Sequence, residues 1–93
     1  MAVYVDNMRA HFGRMVMCHM LADSREELDA MADRIGVARR WIQHAGTAKE
    51  HYDIALSARA KAVAAGAVEV DIRDTARMVA ERRAAAAAAR GAV

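Results

Sequence analysis

The stretch that decides the fold is MVMCHMLADSREELDAMADRIG, residues 15–36. Its first eight residues are almost all apolar and end at a polar turn, a pattern typical of a short strand covered on both faces. Ser24 and Glu27 then fit a capping box, in which the serine accepts from a backbone N–H and the glutamate reaches back to the cap. Gly36 is expected to end the helix, because the residue just past a helix often adopts a left-handed backbone conformation, which glycine favours. The stretch therefore predicts a strand followed directly by a helix.

Further elements are predicted on both sides of this unit. A short β-type run at residues 3–5 precedes a polar loop at 7–14, and after Gly36 we predict a strand at 39–43, a helix from about 53 to 66, a strand at 68–70 and a helix from Asp71 or Asp74 to about Arg90. The order β-β-α-β-α-β-α predicts an α/β sandwich with a mixed sheet of three or four strands. The first two strands should pair antiparallel, because their link is too short for a parallel crossover. Strands separated by helices should run parallel.

The composition excludes several classes of protein. With 93 residues, 56% of them hydrophobic, the chain can bury the core of one small domain and is not disordered. Its one cysteine, Cys18, excludes an internal disulfide and a multi-cysteine zinc site. No apolar run approaches the roughly 18 residues of a membrane span, and the N-terminus does not have the pattern of a signal peptide. We therefore expect a cytoplasmic protein without a membrane partner.

Charge is spread unevenly along the chain. The formal net charge is only +2, which is too small to require nucleic acid as a partner. Residues 73–93 nevertheless predict a basic, Ala-rich helix, which we assign to the same domain as an α/β core of residues 1–72. The six successive alanines at 84–89 favour a helix but offer little apolar area. This helix is therefore expected to be exposed or to dock on a second chain in a homodimer.

Two aspartates follow predicted strands, where α/β folds commonly carry site residues. Asp6 follows the first strand, and because no helix comes next, a structural and a ligand-binding role both stay open. Asp23 directly precedes a helix. Its predicted role is therefore to stabilise the helix, because a carboxylate interacts favourably with the positive end of the helix dipole. If the two strands are antiparallel, these aspartates lie at opposite ends of the sheet and cannot form a pair.

His19 is the polar interruption of the apolar strand. A buried imidazole needs a partner for each nitrogen, or its burial costs free energy. His19 is thus either a core histidine bonded to Asp53, Gln43 or a backbone carbonyl, or a ligand or general base that projects from a rigid strand.

His51 and Asp53 raise a similar choice. In an extended chain they point to the same side, whereas in a helix they lie about 200° apart and could not share a ligand. Asp53 precedes an apolar run, so it is predicted to be the N-cap of the second helix. The alternative is a divalent-metal site formed by His19, His51 and Asp53, a ligand set that suits Zn²⁺, Mn²⁺ or Fe²⁺.

Three arginines are candidates for binding an anion. Arg14 follows Gly13 in a predicted loop and could clamp a carboxylate or phosphate. Arg39 and Arg40 are expected to gather with Arg14 and His51 at the start of the second helix, whose free N–H groups attract phosphate. An Asp53 cap would argue against an anion at that same place.

A series of short motifs follows in order along residues 3–70: Tyr4-Val5-Asp6, Gly13-Arg14, Cys18-His19, Ala22-Asp23, Trp41-Ile42-Gln43, His51-Tyr52-Asp53, Arg59 and Gly66-Ala67. Together these motifs resemble a short bacterial and bacteriophage family of unknown function. The predicted third helix lies outside this resemblance. The resemblance implies a bacterial or phage origin, hence the host cytoplasm if a phage encodes the protein, and it implies no activity.

The residues support two functions. In the first, a polar site of Asp6, Arg14, His19, His51 and Asp53 binds a phosphorylated ligand or nucleic acid, and with a divalent metal it could hydrolyse a phosphoester. In the second, the protein is a non-catalytic phage accessory or inhibitor protein that binds a host protein through its basic helix. Because no complete catalytic motif is present, binding is favoured over catalysis.

Overall fold

A mixed five-stranded sheet forms the centre of the computed structural model, which describes residues 2–91. The strands are β1 (Val3–Val5), β2 (Ala10–Phe12), β3 (Met15–Ala22), β4 (Tyr52–Ala55) and β5 (Val68–Glu69). The helices are α1 (Arg25–Ile35), α2 (Leu56–Ala64) and α3 (Ile72–Gly91), with a 3₁₀ turn at Arg39–Trp41. The predicted α/β class, with a mixed sheet and a long C-terminal helix, is confirmed.

β3 is the strand to which most of the sheet is attached. β1 and β2 pair antiparallel with successive parts of it, so the antiparallel pairing predicted for β1 and β3 is confirmed. β4 also pairs antiparallel with β3, while β5 pairs parallel with β1. The parallel arrangement predicted for strands separated by helices is therefore wrong for β3 and β4. The long segment after α1 returns the chain in the opposite direction before β4 begins.

Two local predictions are also wrong. The predicted loop at 7–14 contains β2, which forms a hairpin with β3, and Gly13 supplies the left-handed turn with φ 62°. This hairpin gives the sheet more strands than predicted. The strand predicted at 39–43 is a 3₁₀ turn with no buried residue, and only Gln43 makes an isolated bridge, to His51. The strand between the first two helices is β4 instead, because Tyr52 and Ile54 bury their side chains in the core.

The helix ends follow the sequence signals. Ser24 caps α1 by accepting from the backbone N–H of Glu27 at 3.2 Å, and Gly36 ends it with φ 80°. Asp71 caps α3 by accepting from the N–H of Arg73 at 2.8 Å. Asp74 accepts in turn from the N–H of Asp71 at 3.0 Å. Both ends of α1 and the start of α3 are thus fixed by residues next to them in the sequence.

The hydrophobic core lies between one face of the sheet and the helices α1 and α2. Its largest fully buried side chains are Tyr52, Met20, Leu28 and Ile54. In β3 the fully buried Cys18 and Met20 alternate with His19, which is only partly buried and projects to the other side. The strand therefore packs a core on one face and presents a histidine on the opposite face.

α3 is held against that opposite face by polar contacts. The Thr75 hydroxyl donates to Asp6 Oδ2 at 2.9 Å, and Arg82 donates to the carbonyl of Ala22 at 2.6 Å. Residues 83–91, the Ala-rich end of α3, are all exposed. Among the residues that the structure describes, no helix is long and apolar enough to cross a membrane.

The Tyr52–Asp29 hydrogen bond predicts a measurable stability loss. The Tyr52 hydroxyl donates to Asp29 Oδ1 at 2.7 Å, and both residues are buried. Burial, together with this hydrogen bond, raises the pKa of Tyr52 to about 12. Tyr52→Phe leaves a buried carboxylate short of a donor, so urea denaturation should show a loss of about 1–3 kcal/mol in the free energy of unfolding.

Tyr4→Phe is the matched control. The Tyr4 hydroxyl donates to Asp23 at 3.0 Å at an exposed position, where water can replace the lost bond. The control should therefore lose less than Tyr52→Phe. Equal losses in the two variants would contradict the role given to the buried bond.

Candidate metal centre

The pairing of β3 with β4 brings the candidate ligands together. In the antiparallel register His19 lies directly opposite Asp53. Within the segment that leads into β4, His51 and Asp53 alternate with Tyr52, which is fully buried in the core. The chain is extended here, so His51 and Asp53 project to the same side as His19. Of the two conformations that the sequence left open, the structure has the extended one.

Asp53 is not a helix cap, and that prediction is wrong. α2 begins at Leu56 with Ala55 in the cap position, and no side chain caps it. Pairing with β3 keeps residues 52–55 in a strand, so the helix starts two residues later than the aspartate signal suggests. The carboxylate of Asp53 is therefore available to the face of the sheet that carries the two histidines.

Three potential ligand atoms converge at this point. His51 Nε2 lies 3.3 Å from Asp53 Oδ1, and His19 Nε2 lies 3.8 Å from the same oxygen. One ligand atom from each of the three residues can be chosen so that all lie within 4.8 Å of one another. Ligands of one ion sit about 2.0–2.2 Å from it, so only a small contraction would let the three share an ion.

The other nitrogen of each histidine ring is held by a hydrogen-bond acceptor. His19 Nδ1 is 2.7 Å from Asp6 Oδ2, and His51 Nδ1 contacts the backbone carbonyl of Lys49. Because a carbonyl and a carboxylate can only accept, we assign the proton to Nδ1 in both rings. In the neutral rings Nε2 then carries a free lone pair, which is the form that binds metals.

The two carboxylate oxygens of Asp53 differ in their hydrogen bonding. Its Oδ2 accepts from Gln43 Nε2, while its buried Oδ1 has no hydrogen-bond partner among residues 2–91. A buried carboxylate oxygen without a donor costs free energy. A cation between Asp53 and the two Nε2 atoms would remove that cost.

Asp6 holds His19 in place and does not itself line the cleft described below. Its side chain is fully buried and accepts from four donors: the ring and the backbone N–H of His19, the N–H of Met8, and the Thr75 hydroxyl. Burial alone would raise the pKa of Asp6, but the bonds from His19, Met8 and Thr75 outweigh it and lower the pKa to about 2. Asp6 is thus a permanent carboxylate at neutral pH.

The same contact shifts the pKa of His19 in the opposite direction, upwards. The hydrogen bond that His19 donates to Asp6 raises the pKa of His19, partial burial opposes this, and the charges of Asp6 and Asp53 add to the rise. Two neighbouring carboxylates therefore favour a positive charge at this point, whether a proton or a metal ion supplies it.

A cleft of about 450 Å³ opens beside the two histidines. α3 forms one wall through Thr75, Val79 and Arg83, and the loop before β4 contributes His44 and Lys49. None of these five was singled out as a site residue from sequence. Lys49 stood next to the His51-Tyr52-Asp53 cluster, but Thr75 and Arg83 reach the site only because α3 crosses the sheet.

The three candidate arginines lie elsewhere. Arg14 is in the exposed turn between β2 and β3, Arg39 bonds Asp33 at 2.8 Å, and Arg40 lies 5.2 Å from the centre of the Trp41 ring. None of them lines the cleft beside the histidines. The expected gathering with His51 at the start of α2 is therefore not what the structure shows. Local contacts within and after α1 hold Arg39 and Arg40.

The Asp6–His19 pair predicts a specific dependence of stability on pH. Because the pKa of Asp6 is about 2 when folded and 3.8 as a free group, its contribution is complete above about pH 4 and is lost as the pH falls towards 2. The corresponding loss is on the order of 2 kcal/mol. The raised pKa of His19 affects stability at higher pH. The contribution of His19 to the stability of the fold is lost as the pH rises through the pKa that His19 has in the folded protein.

Urea denaturation of the wild type and Asp6→Asn from pH 2 to pH 8 measures both effects. The variant should be less stable by about 3 kcal/mol near pH 5, because His19 and Thr75 lose a charged partner. The difference between the two proteins should shrink towards pH 2. Asp33→Asn, which removes an exposed partner of Arg39, is the control and should cost less than about 1 kcal/mol. A pH-independent difference for Asp6→Asn would refute the assignment.

Comparison with known proteins places the chain in a family. The model of the family described as "Protein of unknown function (DUF4031)" matches residues 3–92. The match includes α3, so leaving the third helix outside the resemblance was wrong. No curated protein and no solved structure matches the chain. Because the family model covers nearly the whole sequence, the chain belongs to the DUF4031 family, whose function is unknown.

Proposed function

We propose that this protein binds one divalent transition-metal ion through His19 Nε2, His51 Nε2 and Asp53 Oδ1. The observation that carries the proposal is the shared orientation of the three groups. Each has one polar atom fixed by a neighbour, namely Asp6, the Lys49 carbonyl or Gln43, while its other atom faces the common point. Partners that orient the ligands in this way are typical of metal sites in proteins.

The ligand set restricts the choice of metal. Two imidazoles and one carboxylate suit Zn²⁺, Mn²⁺ or Fe²⁺, and they match the two-histidine, one-carboxylate set of non-haem iron sites. Three protein ligands leave at least one coordination position for water or for a second ligand. His19 and His51 line the cleft, so that position would be reached from it. We infer that the ion serves to hold a ligand.

The charge of the cleft favours an anionic ligand. Its lining includes Lys49 and Arg83 and no acidic residue. Neither cation forms an ion pair with a carboxylate in the part of the chain that the structure describes. A phosphate group bound at the ion would therefore meet two uncompensated positive side chains. The cleft thus supports the binding of a phosphate-bearing ligand.

Metal-assisted hydrolysis of a phosphoester is the reaction that this arrangement supports. His19, His51 and Asp53 would hold the ion, and the chemistry that the ion would supply is Lewis-acid activation of a water near neutral pH. Lys49 and Arg83 would offset the charge that develops on the phosphoryl oxygens. The roles of His19 and His51 are to hold the ion, and that of Asp6 is to fix the His19 ring.

Metal titration tests the proposal directly. Chelator-treated protein should bind one equivalent of Zn²⁺ or Mn²⁺ in calorimetry, and excess ion should raise the unfolding temperature, because binding favours the folded state. Affinity should fall at low pH, as His19 must be neutral to bind and its pKa is raised. Asp53→Asn and His51→Gln should each weaken binding by about 100-fold or more, because loss of a residue that only orients a ligand typically costs about 10- to 100-fold.

His11→Gln is the matched control for this titration. His11 is an exposed histidine on β2 and does not belong to the three-residue set. The His11→Gln variant should bind the metal with the same affinity as the wild type. Stoichiometric binding that survives both Asp53→Asn and His51→Gln would exclude these ligands, and no binding at millimolar metal would exclude the site.

A phosphatase assay tests the reaction. Metal-loaded wild type should release p-nitrophenol from p-nitrophenyl phosphate at least about tenfold faster than the free ion does, since the protein positions the ester as well as the metal. Asp53→Asn should abolish the difference. Arg83→Ala should raise KM and leave the metal affinity unchanged, because the proposed role of Arg83 is to contact the phosphate and not the metal. Equal rates for wild type and Asp53→Asn would rule out this hydrolysis and leave a binding role.

A second function is favoured by the exposed end of α3. Residues 83–91 are all exposed, and they include Arg83 and Arg90. Such a helix suits a non-catalytic protein that acts by contact with a host protein, and this function needs no metal. A chain that fails the metal titration would therefore make contact through α3 the better-supported function.

A further inference from the structure

A second cleft adjoins the metal centre on the side away from α3. It measures about 590 Å³ and is lined by apolar side chains from the β2–β3 hairpin and from the 3₁₀ turn. We call it the aromatic groove and define it by Phe12, Met15, Met17 and Trp41. Phe12 is 72% exposed and Trp41 60% exposed. Large apolar side chains left open in one concave surface commonly mark a binding site.

Asp53 connects the aromatic groove to the metal centre. Asp53 and its partner Gln43 line the aromatic groove, whereas His19 and His51 line the basic cleft on the other side. An ion held by the three ligands would thus lie at the boundary between an apolar surface and a positively charged one. A ligand bound to that ion would have the apolar groove on one side and the basic cleft on the other.

The spacing along β3 sets the size of such a ligand. Met17 and His19 are two residues apart and face the same side of the sheet, so their Cα atoms are separated by about 6.6 Å. An apolar group packed on Met17 would therefore lie close to a head group coordinated beside His19. A ligand whose two parts are joined directly or by a short link matches this spacing.

We propose that the natural ligand of this metal centre is an anion whose phosphate-type head group is joined closely to a flat apolar body, and that the aromatic groove receives this body. The inference rests on the proposed metal site and adds the class of ligand. The head group would sit between the ion, Lys49 and Arg83, while the body would pack against Trp41 and Met17. Arg40 lies over the Trp41 ring at 5.2 Å and so supports the ring in position.

A small molecule is the occupant that the geometry favours. The volume of the aromatic groove lies within the range of small-molecule pockets, about 300–1,000 Å³. The lining of the groove is mostly apolar, and its polar side chains are Asp53 and Gln43 beside the metal centre and His11 on β2. This distribution matches a ligand that is polar at one end. An aromatic ring beside Trp41 would gain from burial of its surface and from ring–ring packing.

Two non-hydrolysable probes test the inference. Phenylphosphonate and methylphosphonate carry the same head group and differ in the apolar body. Calorimetry with the zinc-loaded full-length protein should show that phenylphosphonate binds at least about tenfold more tightly, because only the ring removes apolar surface of the groove from water. Trp41→Ala should reduce this ratio to below about threefold without changing metal affinity.

Further variants test whether the preference for phenylphosphonate arises in the aromatic groove. Phe12→Ala should lower the ratio in the same direction as Trp41→Ala, and because Phe12 is largely exposed its replacement should not prevent folding. Val68→Ala removes an exposed apolar side chain on β5, outside both clefts, and should leave the ratio unchanged.

The outcomes separate this inference from the proposed function. If metal and methylphosphonate bind but phenylphosphonate binds no more tightly, the aromatic groove does not serve the metal centre, and the metal site stands. If the preference for phenylphosphonate persists in both Trp41→Ala and Phe12→Ala, the body lies elsewhere and the inference fails. If no metal binds, the proposed function itself fails.

Discussion

The buried carboxylate of Asp6 is the group on which the rest of the structure depends. It stands at the end of β1, and its four donors come from β3, from the loop after β1 and from α3. A charged group can be buried at this depth only if every lone pair is used, and here the donors hold its pKa at about 2. The same carboxylate therefore joins the sheet to α3 and fixes the ring of His19.

This double use explains why the fold and the candidate site cannot be separated. The Thr75 hydroxyl that binds Asp6 also lines the cleft, so the contact that anchors α3 builds a wall of the site. Arg59 on α2 donates to the carbonyl of Asp6 at 2.8 Å and pairs with Glu69 at 3.0 Å, which ties the same point to the core side of the sheet. Elements on both faces thus meet at one residue.

The sequence predicted the features that depend on neighbours in the chain. The Ser24 cap and the Gly36 stop are local signals, and the structure has both. Asp53 shows where this reasoning fails. An aspartate before an apolar run is a good cap when only local energies compete, but here β4 gains more from pairing with β3 and from burying Tyr52. The tertiary pairing overrides the local preference.

The residues of the site divide in the same way. His19, His51 and Asp53 were candidates because polar groups interrupt apolar strands or precede them, yet their meeting depends on the register of β3 and β4, which a single sequence does not fix. Asp6 was a candidate ligand, but its place behind His19 follows from the pairing of β1 with β3. Thr75 and Arg83 carry no local signal, because a weakly amphipathic Ala-rich helix does not reveal which face it turns to the sheet.

The small core gives a physical reason for the candidate centre to contribute to stability as well as to ligand binding. The chain has only four aromatic residues, and two of them, Phe12 and Trp41, are exposed and not in the core. Small domains with limited apolar burial often depend on an added cross-link, and a metal ion is one such link. An ion shared by His19, His51 and Asp53 would join β3, β4 and the segment before β4 while satisfying the unpaired oxygen of Asp53. Exposing the aromatic groove and leaving this oxygen unpaired both cost stability, and a bound ion with its ligand would offset both at once.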